Sequence, residues 1–241
     1  MKLKELTSPS LTDLFVEEME RMILSGELKI GEKLPTEREI SEKMKVSRAV
    51  VNGGLNQLAE IGFVRIAPRK GAFVDDYIAN GNIDVLSAIM EYNGGRFTPE
   101  FLEPILQFRK SIEPYATELA AQNAKPENLD ALKKIIEQIS TADPIDISSE
   151  LVFQYYHTIA IAGQNIILPL LFRTFKPAYL SIGGAFIRLG NLQSLIEDFQ
   201  YIYQAIAEKR PEDAKNRDIQ SIENCRTTIS AHYKPGDVFY K

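Results

Sequence analysis

The stretch from Leu34 to Val74 constrains the fold of this 241-residue chain more than any other part. Its first helix is predicted to begin at Thr36, because Thr36 and Glu39 have the spacing of a capping box that satisfies free backbone N–H groups. A second helix is predicted after Ser47, a good N-cap residue that precedes apolar side chains at helical spacing. Two short helices joined by a tight turn are typical of a helix-turn-helix.

The pattern changes after Gly62 to two short apolar runs around a basic turn. The runs are residues 63–66 and 72–74, and Pro68-Arg69-Lys70-Gly71 lies between them. This order predicts two strands with a basic tip, which is the wing of a winged helix-turn-helix.

The predicted second helix and wing form the basic part of an acidic chain. In a winged helix-turn-helix the first turn of the second helix enters the DNA major groove, and here that turn carries Ser47, Arg48 and Asn52. Residues 38–74 hold seven basic and three acidic side chains, whereas residues 76–241 hold sixteen basic and twenty-one acidic ones. DNA binding is therefore predicted only for the N-terminal part.

The same stretch resembles the GntR family of bacterial transcription regulators. The resemblance rests on LPTERE from Leu34, VSR ending at Arg48, and a basic wing that ends in GAFV at Val74. It implies a set of DNA contacts made by Arg38, Ser47, Arg48, Asn52, Lys70 and Gly71. The alternative is that Arg38 and Arg48 are solvated residues of an interaction protein that has lost specific DNA binding.

The chain departs from the family at Asn52-Gly53-Gly54, where the family usually has Arg-Glu-Ala. Arg pairs best with guanine and Asn with adenine, so the operator is predicted to carry A where the family's common operator has G. Each Gly in a helix interior costs about 1 kcal/mol relative to Ala. Two explanations of the glycines stay open, close approach to the DNA backbone and sequence drift.

Several classes of protein are not expected from the composition and motifs. The N-terminus has no apolar signal-peptide region and no run of eighteen apolar residues occurs, so a cytoplasmic protein without membrane contact is predicted. The single cysteine, Cys225, excludes an intrachain disulfide framework. The chain has no H-E-x-x-H, G-x-S-x-G, P-loop or G-x-G-x-x-G motif, so neither an enzyme nor a cofactor is expected.

The chain is predicted to form two domains. Residues 76–82 are polar and contain Gly and Asn, which indicates a linker between a winged helix-turn-helix at 1–75 and a second domain at 83–241. The second domain shows helical periodicity throughout and no period of two, so an all-α bundle of six or seven helices is predicted. Its helices are expected near 83–93, 98–123, 126–141, 147–163, 165–188, 191–209 and 211–232.

The second domain resembles the all-helical FCD domain of the FadR branch of GntR regulators. The matching residues include Phe108-Arg109 followed by Ile112-Glu113-Pro114, and Ile159-Ala160 followed by Ala162 and Asn165. The resemblance implies a domain that dimerises, holds an effector in a central cavity and alters DNA binding when the effector arrives. A homodimer on a pseudo-palindromic double-stranded operator is therefore predicted.

Many FCD domains bind a divalent metal through one Asp and three His residues. At the matching positions this chain has Val152, Tyr156, Phe199 and, within a residue or two, Ser221. His157 lies one residue outside the ligand register, which rotates it by about 100° around a helix. No metal is therefore expected, and the pattern resembles the metal-free, acyl-CoA-responsive member of the branch.

Without a metal, an anionic effector such as a carboxylate or an acyl-CoA needs cationic and hydroxyl side chains. A bidentate Arg is the best single reader of such a group, and Arg109 matches the family's pocket arginine. The alternative for Arg109 is a buried ion pair with Glu113. Ser181–Ala185 is predicted to interrupt a helix, either to admit a long ligand or to kink it. The other candidate effector residues are Tyr155, Tyr156, Asn165, Arg173, Tyr179 and Arg188.

Overall fold

The computed structural model describes residues 9–95, 99–141 and 145–234. The chain divides into two compact units, Met1–Tyr92 and Asn93–Lys241. The elements of the first unit are α1 (Leu11–Leu24), α2 (Glu37–Met44), α3 (Arg48–Ile61), β1 (Val64–Ala67), β2 (Gly71–Val74), α4 (Tyr77–Asn80) and most of α5 (Ile83–Gly95).

Side-chain caps begin the helices of the first unit, as the sequence predicts. The Thr36 N–H donates to the Glu39 carboxylate at 2.8 Å, and the Glu39 N–H donates to the Thr36 hydroxyl at 3.3 Å. The Ser47 hydroxyl accepts a hydrogen bond from the Val50 N–H at 3.3 Å, and Ser10 caps α1 in the same way. These bonds satisfy backbone donors that have no partner inside a helix.

The predicted wing is an antiparallel pair of strands in which Val64 lies opposite Val74. Lys33 adds a single bridge to Phe73 on the other side of β2. At the tip the chain turns through Gly71, whose φ of 106° lies in the left-handed region that favours glycine. The winged helix-turn-helix prediction is therefore confirmed.

The segment predicted as a linker packs on the first unit instead. Residues 77–80 form α4, and the backbones of Gly62 and Gly81 are so close that a Cβ on Gly62 would lie 2.8 Å from the Gly81 Cα. Val85 of α5 is buried in the apolar core that α1, α2, α3 and the wing share. Because this core takes in the start of α5, the compact units divide after residue 92 and not at residues 76–82.

All regular elements in the described part of the second unit are helices, which confirms the predicted bundle. Within the described ranges of the chain, no helix is long and apolar enough to cross a membrane. The elements are α6 (Pro99–Asn123), α7 (Pro126–Ile139), α8 (Ile145–Ala162), α9 (Ile167–Thr174), α10 (Lys176–Phe186), a π-helical turn (Ile187–Asn191), α11 (Leu192–Ala207) and α12 (Pro211–His232).

The single helix predicted at 165–188 is wrong, because the chain breaks at Phe175 between α9 and α10. Pro177 lies in the first turn of α10, where no helical hydrogen bond requires its N–H. In the interior of a continuous helix the same proline would remove a hydrogen bond and clash with the preceding turn. The interruption predicted at Ser181–Ala185 is also wrong, since these residues lie inside α10. There a Cβ on Gly183 would make an ordinary contact with α8, 3.5 Å from the Val152 Cγ1.

Gly54 lies where α3 contacts α1. A Cβ on Gly54 would lie 2.7 Å from Cε1 of the buried Phe15 and closer still to its Cδ1. A Cβ on Gly53 would make only an ordinary contact, 3.7 Å from the Thr12 Cγ2. Close packing of two helices therefore explains Gly54, and neither DNA approach nor drift is required.

This contact predicts opposite effects for two neighbouring substitutions. Gly54→Ala is expected to lower the free energy of unfolding of the first unit by about 1–3 kcal/mol, because it overpacks a buried ring. Gly53→Ala is expected to raise it by up to about 1 kcal/mol through helix propensity. Urea denaturation followed by circular dichroism measures both. Equal changes for the two variants would contradict the explanation.

Candidate functional site

A concave basic surface lies between α2, α3 and the wing, with a volume of about 540 Å³. Five basic side chains and one acidic side chain line it, so its charge suits a polyanion. It is lined by residues 33–38, Arg48, Asn52, Leu55, Asn56, Ile66 and residues 69–72.

The concave basic surface brings together five of the six predicted DNA contacts, Arg38, Arg48, Asn52, Lys70 and Gly71. Arg48 is the first residue of α3 and is exposed, as a major-groove contact must be. Arg38 is exposed too and makes a 2.9 Å ion pair with Glu42 on its own helix. Ser47 is not among the lining residues, and its hydroxyl caps α3.

Glu37 and Asn56 are two of the ten lining residues that were not among the predicted contacts. The Asn52 Nδ2 donates to the Glu37 carboxylate at 3.1 Å, and the Asn56 Nδ2 donates to the Asn52 Oδ1 at 3.2 Å. The spacing of four residues between Arg48, Asn52 and Asn56 places all three on one stripe of α3, a signal that was available in the sequence. The contact of Glu37 with α3 had no such signal.

The interior of the second unit contains Arg109 in a buried ion pair with Glu113. The Arg109 Nη2 donates to the Glu113 Oε2 at 3.0 Å, and the Tyr179 hydroxyl donates to the Glu113 Oε1 at 2.6 Å. The Arg109 guanidinium lies 4.8 Å from the ring centre of Tyr179 and 5.4 Å from that of Tyr156. Burial alone would lower the pKa of Arg109, but the Glu113 carboxylate raises it well above its ordinary value. The Arg109 guanidinium is therefore charged.

The space beside Arg109 is a cavity of about 20 Å³. That volume holds about one water molecule and no larger ligand. Burial raises the pKa of the Cys225 thiol at its wall to about 11, so the thiol stays protonated at neutral pH. The cavity is lined by Arg109, Val152, Tyr156, Gly183, Phe186, Leu195, Ser221 and Cys225.

The other predicted effector residues occupy different places. The Tyr155 hydroxyl donates to the Phe199 carbonyl at 2.8 Å, and Asn165 accepts a hydrogen bond from the Ile167 N–H at the start of α9. Arg173 is exposed, and Arg188 is half-buried beside Gly184. A role in effector binding for Tyr155, Asn165, Arg173 and Arg188 stays a prediction.

The residues at the family's metal-ligand positions converge at the same cavity. Val152, Tyr156 and Ser221 line it, and the Phe199 ring lies 5.6 Å from that of Tyr156. A valine and a phenylalanine offer no ligand atom, and burial raises the pKa of the Tyr156 hydroxyl well above its ordinary value. This donor set does not fit a divalent metal. In the described residues, no group of three or more His, Cys, Asp or Glu side chains could hold one.

Asp218 of α12 is a buried carboxylate that the sequence did not single out. Its Oδ2 accepts a hydrogen bond from the Thr117 hydroxyl at 2.9 Å, while its Oδ1 has no partner in the part of the chain that is described. Burial, and next the nearby Glu113, raise the pKa of Asp218 well above its ordinary value. A neighbouring carboxylate, Asp198, is paired with Arg217 at 2.7 Å.

The raised pKa predicts how Asp218 affects stability. Its protonated form is favoured in the folded state, so its contribution to stability is complete below the unfolded pKa and is lost as the pH rises through the folded pKa. Asp218→Asn is therefore expected to stabilise the protein by about 1–3 kcal/mol near neutral pH, with a smaller gain near pH 4. Urea denaturation at a series of pH values measures this gain. Asp198→Asn, which removes a paired carboxylate, is expected to destabilise. A gain that shrinks with rising pH would refute the assignment.

Comparison with known proteins gives two family matches. The profile of the bacterial regulatory proteins of the gntR family matches residues 12–74, and that of the FCD domain matches residues 104–222. The HTH-type transcriptional regulator Mce2R of Mycobacterium tuberculosis is 26% identical over 233 residues, which cover 96% of each chain. The fatty acid metabolism regulator protein of Shewanella pealeana is 28% identical over 187 residues, which cover 78% of this chain and 77% of that one.

Among solved structures, one similar fold is that of Lar, described as controlling the expression of the Listeria monocytogenes agr system. It has a TM-score of 0.59 and 16% identity, and the match covers 94% of this chain and all of that one. At this identity the likeness concerns the fold alone.

Proposed function

Because the chain belongs to the gntR family of bacterial regulatory proteins and carries an FCD domain, we propose that it binds a specific DNA operator and responds to a small anionic effector. It acts in the cytoplasm as a homodimer. The first unit reads the operator, and the second unit binds the effector and holds the dimer together.

The observation that carries the proposal is the concave basic surface. Its five basic side chains come from the segment before α2, from α2 and α3, and from the wing tip. They therefore extend over several elements and do not lie on a single helix. Phosphate contacts from such residues supply affinity, and the exposed side chains of Arg48 and Asn52 supply base contacts. Lys70, at the wing tip, contacts the phosphate backbone of the DNA beside the major groove.

A homodimer follows from the small number of base contacts that one winged module offers. Two copies related by a two-fold axis double those contacts and match a pseudo-palindromic site. The spacing of the two half-sites is then set by the second unit.

The effector of this proposal is a carboxylate or an acyl-CoA-like molecule that binds without a metal. Arg109, Tyr156 and Tyr179 meet in the interior of the second unit and offer a cation and two hydroxyls. The name of the fatty acid metabolism regulator of Shewanella pealeana supports an effector with an acyl part. Glu113 neutralises Arg109, and the cavity beside Arg109 holds about one water molecule. The effector therefore binds a more open conformation of the second unit, in which the anionic group of the effector takes the place of Glu113 as the partner of Arg109.

Selection of binding sites from random duplex DNA with the full chain tests the first part of the proposal. Enrichment of a pseudo-palindrome, together with a dimer mass in light scattering, is the expected result. A chain that enriches no sequence would favour the alternative of an interaction protein without specific DNA binding.

Mass spectrometry of small molecules released from the purified, denatured chain tests the second part. The expected result is an anionic metabolite that, when added back, changes operator affinity. Chelators are expected to leave operator binding unchanged. About one zinc, nickel or manganese ion per chain, found after purification without added metal, would contradict the metal-free site.

A further inference from the structure

The amide of Asn52 is hydrogen-bonded at both ends, although it lies on an exposed surface. Glu37, the first residue of α2, accepts from its Nδ2, and Asn56, one turn further along α3, donates to its Oδ1. All three side chains line the concave basic surface. The bond to Glu37 joins two helices across fifteen positions of the chain.

The bond to Glu37 determines which way the amide faces. A primary amide presents a donor group and an acceptor group, and rotation by 180° exchanges them. The Glu37 carboxylate accepts this bond, so it holds the Nδ2 end of Asn52. Asn56 is itself an amide, and its Nδ2 donates to the Oδ1 end that this orientation presents to it.

We call the two hydrogen bonds that Glu37 and Asn56 make with the Asn52 amide the clamp. The clamped amide keeps one donor and one acceptor for a ligand. Its Oδ1 has two lone pairs and its Nδ2 has two N–H groups, and the clamp uses one of each. The remaining pair matches adenine in the major groove, where N6 donates and N7 accepts. A free amide would have to lose its alternative orientation on binding, and the clamped one has lost it already.

The negative charge of Glu37 is unfavourable for DNA binding, and its bond to Asn52 gives a reason for its position. It is the one acid on a surface with five basic side chains, and a carboxylate beside DNA phosphates opposes binding. Because Asn56 has no charge, the two ends of the clamp differ in this respect.

We propose that Glu37 and Asn56 are positioning residues, which fix the Asn52 amide so that it reads adenine at one position of each half-site. This inference rests on the proposed operator binding. Glu37 and Asn56 are then two specificity determinants that contact Asn52 but do not contact the base that Asn52 reads.

Binding-site selection with the full chain and five variants tests the inference. Asn52→Ala identifies the operator position that Asn52 reads, because its preference disappears there. At that position Glu37→Ala and Asn56→Ala are each expected to reduce the preference for adenine by about fivefold or more, with other positions unchanged. Glu37→Ala is also expected to bind random duplex DNA more tightly, since one negative charge is removed.

Glu37→Gln separates orientation from charge. Its side-chain oxygen still accepts from the Asn52 Nδ2 while the charge is gone, so it is expected to retain the adenine preference and to bind random DNA as tightly as Glu37→Ala. Glu42→Ala is the matched control, because Glu42 is an acid of the same helix that pairs with Arg38 and not with Asn52. It is expected to leave the preference at the Asn52 position unchanged.

Three results would overturn the inference. The first is an unchanged adenine preference in folded Glu37→Ala and Asn56→Ala, which would leave operator binding itself intact. The second is a loss in Glu37→Gln as large as in Glu37→Ala. The third is a wild-type chain that enriches no sequence, which would remove the proposed function together with the inference.

Discussion

Arg109→Ala is expected to lower the free energy of unfolding of the second unit by about 3–5 kcal/mol, the cost of breaking one side of a buried ion pair. Arg109 and Glu113 are both almost completely buried, so truncation of the arginine removes the charged partner of the Glu113 carboxylate and leaves it the hydrogen bond from the Tyr179 hydroxyl. Glu113→Ala is expected to cost a similar amount for the same reason. Urea denaturation monitored by circular dichroism measures both changes.

The matched control is the double variant Arg109→Met with Glu113→Leu. Replacement of both charges by apolar side chains of similar volume is often neutral or stabilising, so this variant is expected to be much more stable than either single one. A double variant whose loss equals the sum of the single losses would show that the two side chains act independently. Because Arg109→Ala weakens the fold, Arg109→Lys, which keeps the charge but not the bidentate geometry, is the better test of an effector role.

Arg48→Ala is expected to lower the affinity for the selected operator by about 100-fold and to remove most of the discrimination against random DNA. Arg48 is exposed at the first residue of α3, beside Asn52 on the concave basic surface, where the major groove is expected. Fluorescence anisotropy with operator and random duplexes at several salt concentrations measures the effect.

Lys70→Ala is the control for this substitution, because it removes a positive charge from the same surface at the wing tip. It is expected to weaken binding to all sequences alike and to reduce the salt slope by about one, as the loss of one phosphate contact requires. If Arg48→Ala behaved in the same way as Lys70→Ala, Arg48 would be a phosphate contact and the proposed docking of α3 would be wrong.

Interactions within one or two turns of the chain were predicted correctly from the sequence. The capping box of Thr36 and Glu39 and the cap at Ser47 depend on residues three positions apart, and helical spacing determines which side chains share a face. The alternative of an ion pair between Arg109 and Glu113 was also accessible, because the two residues are separated by four positions in a helix. Five of the six predicted DNA contacts lie on one surface, and the tertiary packing of α2, α3 and the wing brings them together there.

Only the tertiary structure determined contacts between residues far apart in the sequence. The approach of Phe15 to Gly54, the bond from Asn52 to Glu37 and the burial of Asp218 beside Thr117 each depend on how two helices pack. Helical spacing specifies the face of a helix on which a residue lies. It does not specify which face of another helix packs against that residue. The cavity of about 20 Å³ has the same origin, since its volume is what remains after α6, α8, α10, α11 and α12 pack around Arg109.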